Sequence, residues 1–280
     1  MLSYKHAFHS GNHADVLKHV ILLSTINKFS QKAKPFCVID THAGAGLYAM
    51  SDEQVQLNKE YESGIAKVSD YSSQLHDIKQ YVEIISTYKQ QGLLPGSPVI
   101  AADVLREQDE LTLMELHPNE YEKLKKTKRL ASAHIHNRDG FEGLLAITPP
   151  RIRRGIVLID PPYEQLEEYQ KVEECISALL TRWPNVCVLL WYPLLSARAK
   201  AKSGRSEKML QKLADNATSG AFYAQLLVDT KTSDTGMYGS GILALNPPWQ
   251  LFETARDITA ELSQQLNACE HTVEWLIQPD

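Results

Sequence analysis

Seven short apolar runs are spread along the chain, and each ends in a polar or glycine-containing segment. The runs cover 36–39, 111–116, 134–137, 155–160, 186–191, 221–229 and 238–245. Short apolar runs with such boundaries are typical of buried strands, and the segments between them can hold helices. Alternating strands and helices predict an α/β fold, with a mostly parallel sheet covered by helices on both faces. Because only the short connection 231–236 joins the last two runs, they are expected to form a hairpin in which one strand is antiparallel.

Two helical regions stand apart from this alternation. Before the first strand, apolar residues recur at helical spacing and predict an amphipathic helix that Ser10 or Asn12 could cap. These apolar positions are Val16, Leu17, Val20, Ile21, Leu23, Ile26 and Phe29. The second region, 51–94, is polar and helical in character and is followed by Pro-Gly-Ser-Pro at 95–98. We therefore expect one domain over 1–280, with a small helical subdomain at 51–94 inserted in the first crossover.

Composition and charge limit the class of protein. Hydrophobic residues make up 43% of the 280 residues and charged residues 22%, which is typical of a folded globular chain. No run approaches the roughly 18 apolar residues of a membrane span, and the first residues lack the apolar core of a signal peptide, so we expect a cytoplasmic protein without membrane contact. The four cysteines lie far apart, which argues against a disulfide framework and a zinc site. Because the net charge is −5, a nucleic-acid partner would need a local basic patch.

A glycine-containing loop, Asp-Thr-His-Ala-Gly-Ala-Gly at 40–46, follows the first predicted strand. It is not a phosphate-binding P-loop, because Leu47 and Tyr48 stand where that motif has lysine and serine or threonine. A dinucleotide fingerprint fits the glycine spacing, but it requires an acidic residue at the end of a second strand about 20 positions later, and Glu60 and Glu62 lie there in a polar stretch with no strand before them. In an S-adenosylmethionine site, Glu115 can be that residue: it lies 69 positions after Gly46, and subtracting about 43 inserted residues leaves about 26. The loop by itself is also compatible with a glycine turn that has only a structural role.

The sequence Asp160-Pro161-Pro162-Tyr163 directly follows a buried apolar run and is a more specific signal. It characterises enzymes that methylate an exocyclic amine of adenine or cytosine. The lone pair of that amine is delocalised into the ring, so a carboxylate such as Asp160 and the carbonyl of Pro161 are needed to accept its two hydrogens. Tyr163 would offer a flat face on which the base stacks. A proline turn with a surface aromatic is the structural alternative, and the proposed chemistry requires no metal.

A second sequence, Asn246-Pro247-Pro248-Trp249, fits the broader asparagine or aspartate version of this pattern. It follows the last predicted strand of the hairpin. If that strand is antiparallel, it ends at the edge of the sheet opposite the cofactor. We therefore expect 246–249 to have a structural role.

Several motifs occur in a fixed order along the chain. They are Tyr4-Lys-His6-Ala-Phe-His-Ser-Gly-Asn-His-Ala-Asp-Val-Leu-Lys18-His19, the loop 40–46, Pro95-Gly-Ser97-Pro, Glu115-Leu-His-Pro, Asp139-Gly140 and Asp160-Pro-Pro-Tyr163. Together they resemble the bacterial 23S ribosomal RNA (adenine-2030-N6)-methyltransferase family over essentially the whole chain. The resemblance implies a Rossmann-like class I methyltransferase fold, with a mostly parallel seven-stranded sheet, an antiparallel strand near the C-terminus and the helical insertion. It also implies S-adenosyl-L-methionine as cofactor and methylation of the N6 amine of one adenine in free 23S rRNA, before ribosome assembly.

The resemblance also assigns site residues. Those expected around the cofactor are His19, His42, Ser97, Glu115, Asp139, Gly140 and Asp160, with Asp160 as the proton acceptor. Those expected near the substrate are Tyr4, His6 and Lys18, to which the chemistry above adds Tyr163. His9 and His13 stay undecided, because histidines at this spacing also occur on the polar face of a helix. We expect a monomer whose partner is 23S rRNA.

Three basic clusters, at 123–129, 151–154 and 198–208, are candidates for contact with RNA. Such runs are usually solvated faces. The third follows the fifth predicted strand at the expected active-site edge, so we favour it as a phosphate-binding loop. Two other functions stay open at this point. One is a DNA adenine-N6 or cytosine-N4 methyltransferase, since Asp-Pro-Pro-Tyr does not distinguish the substrates, and the other is a binding protein with a degenerate catalytic fold.

Overall fold

The computed structural model describes residues 6–231 and 236–279. Within these residues the α-helices are α1 (His13–Ser30), α2 (Glu53–Asn58), α3 (Ile65–Val68), α4 (His76–Lys89), α5 (Ser97–Val104), α6 (Pro118–Lys126), α7 (Gly140–Ile147), α8 (Glu167–Arg182), α9 (Arg205–Ala214) and α10 (Leu251–Leu266). The strands are β1 (Cys37–Asp40), β2 (Leu47–Ala49), β3 (Leu93–Pro95), β4 (Glu110–Met114), β5 (His134–His136), β6 (Gly155–Ile159), β7 (Cys187–Leu195), β8 (Ala221–Leu227), β9 (Met237–Leu245) and β10 (Glu270–Ile277). Short 3-10 helices cover His6–Phe8, Glu60–Ser63, Lys128–Leu130 and Ala197–Lys202.

Eight strands form one sheet, in the order β5-β4-β1-β6-β7-β9-β8-β10. Strands β5, β4, β1, β6 and β7 are parallel, whereas β9 runs antiparallel to both of its neighbours. This is the Rossmann-like arrangement of class I methyltransferases, with one strand more than the seven that the sequence predicts. The additional strand, β10, lies at the edge of the sheet beside β8, and its residues are exposed or half-buried. Its sequence therefore lacks the apolar run that marks the other strands.

Helix α1 packs on the sheet and is buried around nearly its whole circumference. The prediction of an amphipathic helix is wrong, because even Asp15, Lys18 and His19 are buried. Helices α4, α5 and α10 cover the sides of α1 that would otherwise face water, while β6 and β9 lie beneath it. The predicted cap is confirmed: the side-chain oxygen of Asn12 accepts a hydrogen bond from Asp15 N at 2.9 Å.

In the sequence, helices α2, α3 and α4 come between β2 and β3. These two strands pair as a two-stranded antiparallel sheet. Apolar side chains of these helices, among them Ile65, Ile78 and Tyr81, belong to the same hydrophobic core as α1. The helical character of 51–94 is thus confirmed, whereas a separate subdomain there stays a prediction. Among the described residues, no helix combines the length and the apolarity needed to cross a bilayer.

Candidate active site

Acidic residues follow the carboxyl ends of the neighbouring parallel strands. Asp40 is the last residue of β1, Glu115 follows β4, and Asp160 follows β6. Asp139 comes a few residues after β5. Because carboxyl ends of parallel strands meet at one edge of the sheet, these acids converge beside β1 and β6, where the strand order reverses. In folds of this class ligands bind at such a point, so the edge carries the candidate site.

The carboxylate of Glu115 holds the glycine loop. Its Oε2 accepts a hydrogen bond from Gly44 N at 2.8 Å, and its Oε1 accepts one from His117 N at 2.6 Å. Burial raises the pKa of Glu115, although both hydrogen bonds favour the ionised form. Gly44 has φ +60°, and a Cβ there would lie 2.2 Å from the hydroxyl oxygen of Tyr48. This position therefore requires glycine, and the loop lies directly against Glu115.

Asp40, which is buried, stabilises the same loop through hydrogen bonds. Its Oδ2 accepts a hydrogen bond from the hydroxyl of Ser97 at 2.7 Å, and its Oδ1 accepts one from His42 N at 3.1 Å. Burial raises the pKa of Asp40 to about 6. Burial also lowers the pKa of His42 to about 4, so this imidazole is neutral at pH 7. The loop thus presents a neutral ring, which lies 5.1 Å from the ring of Phe141.

Asp139 caps helix α7. Its Oδ1 accepts hydrogen bonds from Phe141 N at 2.9 Å and from Glu142 N at 3.1 Å. The next residue, Gly140, lies so close to the glycine loop that a Cβ there would be 2.1 Å from Thr41 O. Both residues therefore fix where α7 begins, and their predicted contacts with the cofactor stay predictions.

Lys18 connects two carboxylates in a buried cluster. Its ammonium donates hydrogen bonds to Asp15 Oδ1 at 2.7 Å and to Asp160 Oδ2. The side chain of Lys18 is 3% exposed and that of Asp160 is 11% exposed. The second oxygen of Asp15 pairs with His6 Nε2 at 3.1 Å and accepts a hydrogen bond from Gly11 N at 2.7 Å. A buried ammonium is tolerated here because two carboxylates compensate its charge.

The charges of this cluster stabilise one another. Burial opposes the charged form of Lys18, but the attraction of Asp15 and Asp160 outweighs it and raises the pKa of Lys18. Burial likewise opposes ionisation of Asp15, but Lys18 and the neighbouring histidines hold the pKa of Asp15 well below its ordinary value. Lys18 and Asp15 are therefore charged at pH 7, and they fix the orientation of the Asp160 carboxylate.

Two pockets meet at Asp160. The first, here called the Glu115 pocket, has a volume of about 380 Å³ and is lined by Gly44, Glu115, Asp139 and Phe141 among others. The second, the Lys18 pocket, has a volume of about 470 Å³ and is lined by Lys18, Trp191, Pro193 and Lys202 among others. Four residues, His6, Asp160, Pro162 and Glu164, line both pockets. Asp160 thus lies where the two pockets adjoin.

Most of the predicted site residues lie at these pockets. His42, Glu115, Asp139 and Asp160 line the Glu115 pocket. His6, Lys18, Tyr163 and Asp160 line the Lys18 pocket. Tyr4 lies outside the described residues. Ser97 and Gly140 lie behind the pocket walls and act on the glycine loop, as described above.

His19 also lies behind a pocket wall. It is buried beside Tyr81, with 6.1 Å between the ring centroids, and its Nε2 lies 3.9 Å from Asp15 Oδ1. Burial lowers the pKa of His19 to about 3, so the imidazole is neutral at pH 7. Its predicted contact with the cofactor stays a prediction, while the structure places it as packing behind Asp15.

Tyr163 does not present the open ring face expected from the sequence. It is 2% exposed, its hydroxyl donates a hydrogen bond to Trp191 O at 3.2 Å, and its ring centroid lies 4.6 Å from that of Tyr169. The backbone turns at this residue, with φ +50°, and directs the ring into the core. The lining of the Lys18 pocket also includes Trp191, which the sequence reasoning missed although it ends a predicted strand. Stacking on Tyr163 stays a prediction that would require its ring to move.

Asn246 has the structural role expected from the sequence. It follows the antiparallel strand β9 and therefore lies at the edge opposite the pockets. Its Oδ1 accepts hydrogen bonds from Thr218 N and Ser219 N, both at 2.8 Å. Its Nδ2 donates to Pro184 O at 2.8 Å and to Val186 O at 3.1 Å. The side chain thus ties together the loops at that edge.

The three basic clusters differ in their position relative to the pockets. The cluster 198–208 follows β7 at the pocket edge, and Lys202 donates a hydrogen bond to Tyr163 O at 3.1 Å. The cluster 151–154 precedes β6, so it lies at the opposite edge. Helix α6 begins at the pocket edge, and the cluster 123–129 lies at its far end. The third cluster is therefore the one beside the Lys18 pocket.

Two of the N-terminal histidines, His6 and His9, pair with carboxylates, whereas His13 is buried at the start of α1. His6 pairs with Asp15, and His9 Nδ1 lies 2.8 Å from Glu60 Oε1. Across 6–231 and 236–279, no group of three or more histidine, cysteine, aspartate or glutamate side chains is placed to hold a metal ion.

Known proteins are similar to this chain over nearly its whole length. A family model described as "Ribosomal RNA large subunit methyltransferase D, RlmJ" matches residues 33–277. Two relatives named Ribosomal RNA large subunit methyltransferase J, from Escherichia coli (strain K12) and Haemophilus influenzae, are 36% and 34% identical, and each alignment covers 99% of both chains. A crystal structure of a protein from Legionella pneumophila is similar over 95% of this chain and 98% of that chain, with a TM-score of 0.84 and 29% identity.

Proposed function

The chain belongs to the ribosomal RNA large subunit methyltransferase family whose family model matches residues 33–277, and we propose that it methylates ribosomal RNA at the two pockets beside Asp160. The proposed reaction transfers a methyl group from S-adenosyl-L-methionine to the N6 amine of one adenine in 23S rRNA. The enzyme is proposed to act as a monomer in the cytoplasm, on free rRNA before ribosome assembly.

The residues of the Glu115 pocket fit S-adenosylmethionine. Glu115 comes at the end of β4, where a carboxylate can accept hydrogen bonds from the two hydroxyls of a ribose. Asp139, which also lines the pocket, can accept a hydrogen bond from the adenine amine of the cofactor. The pocket lining is also rich in acidic side chains, which suits a positively charged ligand: Glu115, Glu120, Asp139, Asp160, Glu164 and Glu168, against Lys171. When bound, this cofactor supplies a methyl group activated on a positively charged sulfur.

Asp160 is placed to act on the target amine. Its Oδ2 is held by Lys18, and its carboxylate lines the Lys18 pocket, where it can accept one hydrogen of an adenine amine. The carbonyl of Pro161 can accept the second hydrogen, because two consecutive prolines restrict the backbone that carries it. Both acceptors shift electron density onto the nitrogen and make it a better nucleophile. Asp160 can then take the proton that the methylated amine releases.

The observation that carries this proposal is that Asp160 lines both pockets. Methyl transfer brings a donor and a nitrogen into contact, so their two sites must open onto each other. Of the residues expected around the cofactor, His42, Glu115, Asp139 and Asp160 line the Glu115 pocket. Of those expected near the substrate, His6, Lys18 and Tyr163 line the Lys18 pocket. The carboxylate between them is the one that the Asp-Pro-Pro-Tyr sequence predicts to be the proton acceptor.

Methyl transfer to three substrates tests the proposal. The substrates are free 23S rRNA, the same RNA in assembled large subunits, and duplex DNA, each with a methyl-labelled cofactor and nucleoside mass spectrometry of the product. We expect N6-methyladenosine in the free rRNA and little label elsewhere. Labelled DNA, or methylated cytosine, would contradict the proposed substrate, and equal labelling of assembled subunits would contradict the proposed timing.

A further inference from the structure

A short segment at the start of the described chain, 6–12, forms one wall of the Lys18 pocket. His6, His9 and Asn12 line this pocket, and His6 lines the Glu115 pocket as well. The segment leads directly into α1, which Asn12 caps. Its position therefore sets the shape of the pocket and the start of the helix that carries Lys18.

The insertion contacts this segment through Glu60. Its Oε1 pairs with His9 Nδ1 at 2.8 Å, and its Oε2 accepts a hydrogen bond from Asn12 Nδ2 at 2.9 Å. Glu60 is half-buried and itself lines the Lys18 pocket. One carboxylate of the insertion thus bridges two residues of the pocket wall, with one oxygen for each.

Close backbone packing accompanies this bridge. Ile65 N donates a hydrogen bond to Gly11 O at 2.8 Å. Gly64 approaches the segment so closely that a Cβ there would lie 2.2 Å from Gly11 O and 2.3 Å from the carbonyl carbon of Asn12. The 3-10 helix Glu60–Ser63 and the start of α3 therefore lie directly against the segment, and Glu60 adds the side-chain contacts.

The pKa shifts of His9 and Glu60 favour opposite charges on these two side chains. The hydrogen bond with Glu60 raises the pKa of His9, and the charge of Asp15 acts in the same direction. Burial favours the neutral form of Glu60, but the hydrogen bonds from His9 and Asn12, with the charges of His9 and His13, outweigh burial and lower its pKa. The contact therefore favours a protonated His9 and an ionised Glu60.

We propose that Glu60 is a positioning residue for the RNA substrate: by holding His9 and Asn12, it fixes the 6–12 segment as the wall against which the target nucleotide binds. This assigns a role in substrate binding to the insertion, and to His9, which the sequence left undecided. The identity of the substrate rests on the proposed function, whereas the contact between Glu60 and the segment does not.

Replacing Glu60 by alanine, with Glu62→Ala as the matched control, tests this role. Glu62 lies in the same 3-10 helix and is exposed. We expect Glu60→Ala to raise the KM for 23S rRNA about 5- to 10-fold, as the net contribution of a typical hydrogen bond predicts, with kcat and the cofactor Kd changed less than about twofold. Glu60→Gln keeps one acceptor oxygen and is expected to retain part of the affinity. Glu62→Ala is expected to leave the KM within about twofold of the wild type.

A double-mutant cycle shows whether Glu60 acts through His9. If it does, the KM of the Glu60→Ala/His9→Ala protein is no higher than the higher of the two KM values measured for the single variants. Fully additive increases would contradict this coupling. The proposal is also overturned if Glu60→Ala has the KM of Glu62→Ala, or if its cofactor affinity and Tm fall together with its RNA affinity, because a general structural defect has that result.

Hydrogen exchange tests the contact without any substrate. We expect the backbone amides of Gly11 and Asn12 to exchange about fivefold faster or more in Glu60→Ala than in Glu62→Ala. Equal exchange rates would show that Glu60 does not hold the segment and would overturn the inference. If the wild-type protein methylates no RNA, the proposed function fails, and the exchange rates still decide whether Glu60 fixes the pocket wall.

Discussion

Lys18 and Asp160 form a buried ion pair although 142 positions separate them in the sequence. Lys18 comes from α1, and Asp160 follows the central strand β6. Asp15 shares the ammonium of Lys18, so the cluster contains two carboxylates for one ammonium. Such a cluster can hold Asp160 in one orientation without neutralising its charge completely.

Replacing Lys18 by methionine tests the importance of this pair. The variant leaves Asp15 and Asp160 buried without their cation, so each disfavours ionisation of the other. We expect the free energy of unfolding at pH 7 to fall by about 3–5 kcal/mol, measured by urea unfolding. Methyl transfer is expected to fall by about 100-fold, because the acceptor carboxylate is no longer oriented. Lys28→Met, in the same helix, is the control, and equal effects of the two variants would contradict the role of the pair.

Asp160→Asn separates the charge of this residue from its shape. Lys18 stays paired with Asp15 in this variant, so we expect a smaller loss of stability than in Lys18→Met. Turnover is expected to fall by about 10² to 10⁴, the range for loss of a general base. Single-turnover methyl transfer measures the chemical step, and calorimetry measures the cofactor Kd, which is expected to stay within about fivefold. Near-normal turnover would refute the role of Asp160 as proton acceptor.

The sequence predicts the site well where function depends on local position. Glu115 and Asp160 each follow an apolar run, and a strand that ends in an acid already places that acid at the carboxyl edge of a parallel sheet. The strand order in the structure shows in addition that the carboxyl ends of β4 and β6 lie on either side of β1, close to each other. For the same reason Asn246, after an antiparallel strand, could be recognised as structural.

The remaining features depend on contacts between distant segments, which spacing does not encode. The contact of Glu60 with His9 requires the insertion to dock on the N-terminal segment. The burial of Tyr163 depends on a positive φ at the end of a proline turn, and the same local sequence is compatible with a ring that faces solvent. Strand β10 lacks an apolar run because an edge strand needs no second buried face.

A neutral, buried His19 makes the protein sensitive to acid. Its pKa is about 3 in the folded state because of burial, and its ordinary value is 6.5. Below pH 6.5 the unfolded chain therefore takes up a proton that the folded protein does not, and the free energy of unfolding falls as the pH falls toward 3. We expect His19→Gln to reduce the loss between pH 6.5 and 5 by about 2 kcal/mol in urea unfolding. His271→Gln, at an exposed site, is the control, and an unchanged pH dependence in His19→Gln would contradict the prediction.

Gly140 is needed for the contact between α7 and the glycine loop. A Cβ at Gly140 would lie 2.1 Å from Thr41 O, so Gly140→Ala must push the start of α7 away from the loop. We expect a loss of about 1–3 kcal/mol in the free energy of unfolding, together with weaker cofactor binding in calorimetry. Gly236→Ala is the matched control, because a Cβ at Gly236 would meet no atom of residues 6–231 and 236–279 within 4 Å. Equal stability and equal cofactor affinity of the two variants would contradict this account.

The basic cluster 198–208 is expected to bind the phosphates of the RNA, since it lies beside the Lys18 pocket and carries the exposed residues Arg198 and Arg205. Reversing both charges should weaken binding of 23S rRNA and lower the slope of log K against log salt concentration by about 1.5, because each phosphate contact contributes about 0.7–0.9 to that slope. Filter binding between 50 and 200 mM salt, roughly the range over which such contacts weaken strongly, measures both quantities. The matched control reverses Lys125 and Lys126, which are exposed at the far end of α6 and change the net charge equally. If both pairs change the slope alike, only the overall charge matters, and if the control alone changes it, the RNA binds across α6 instead.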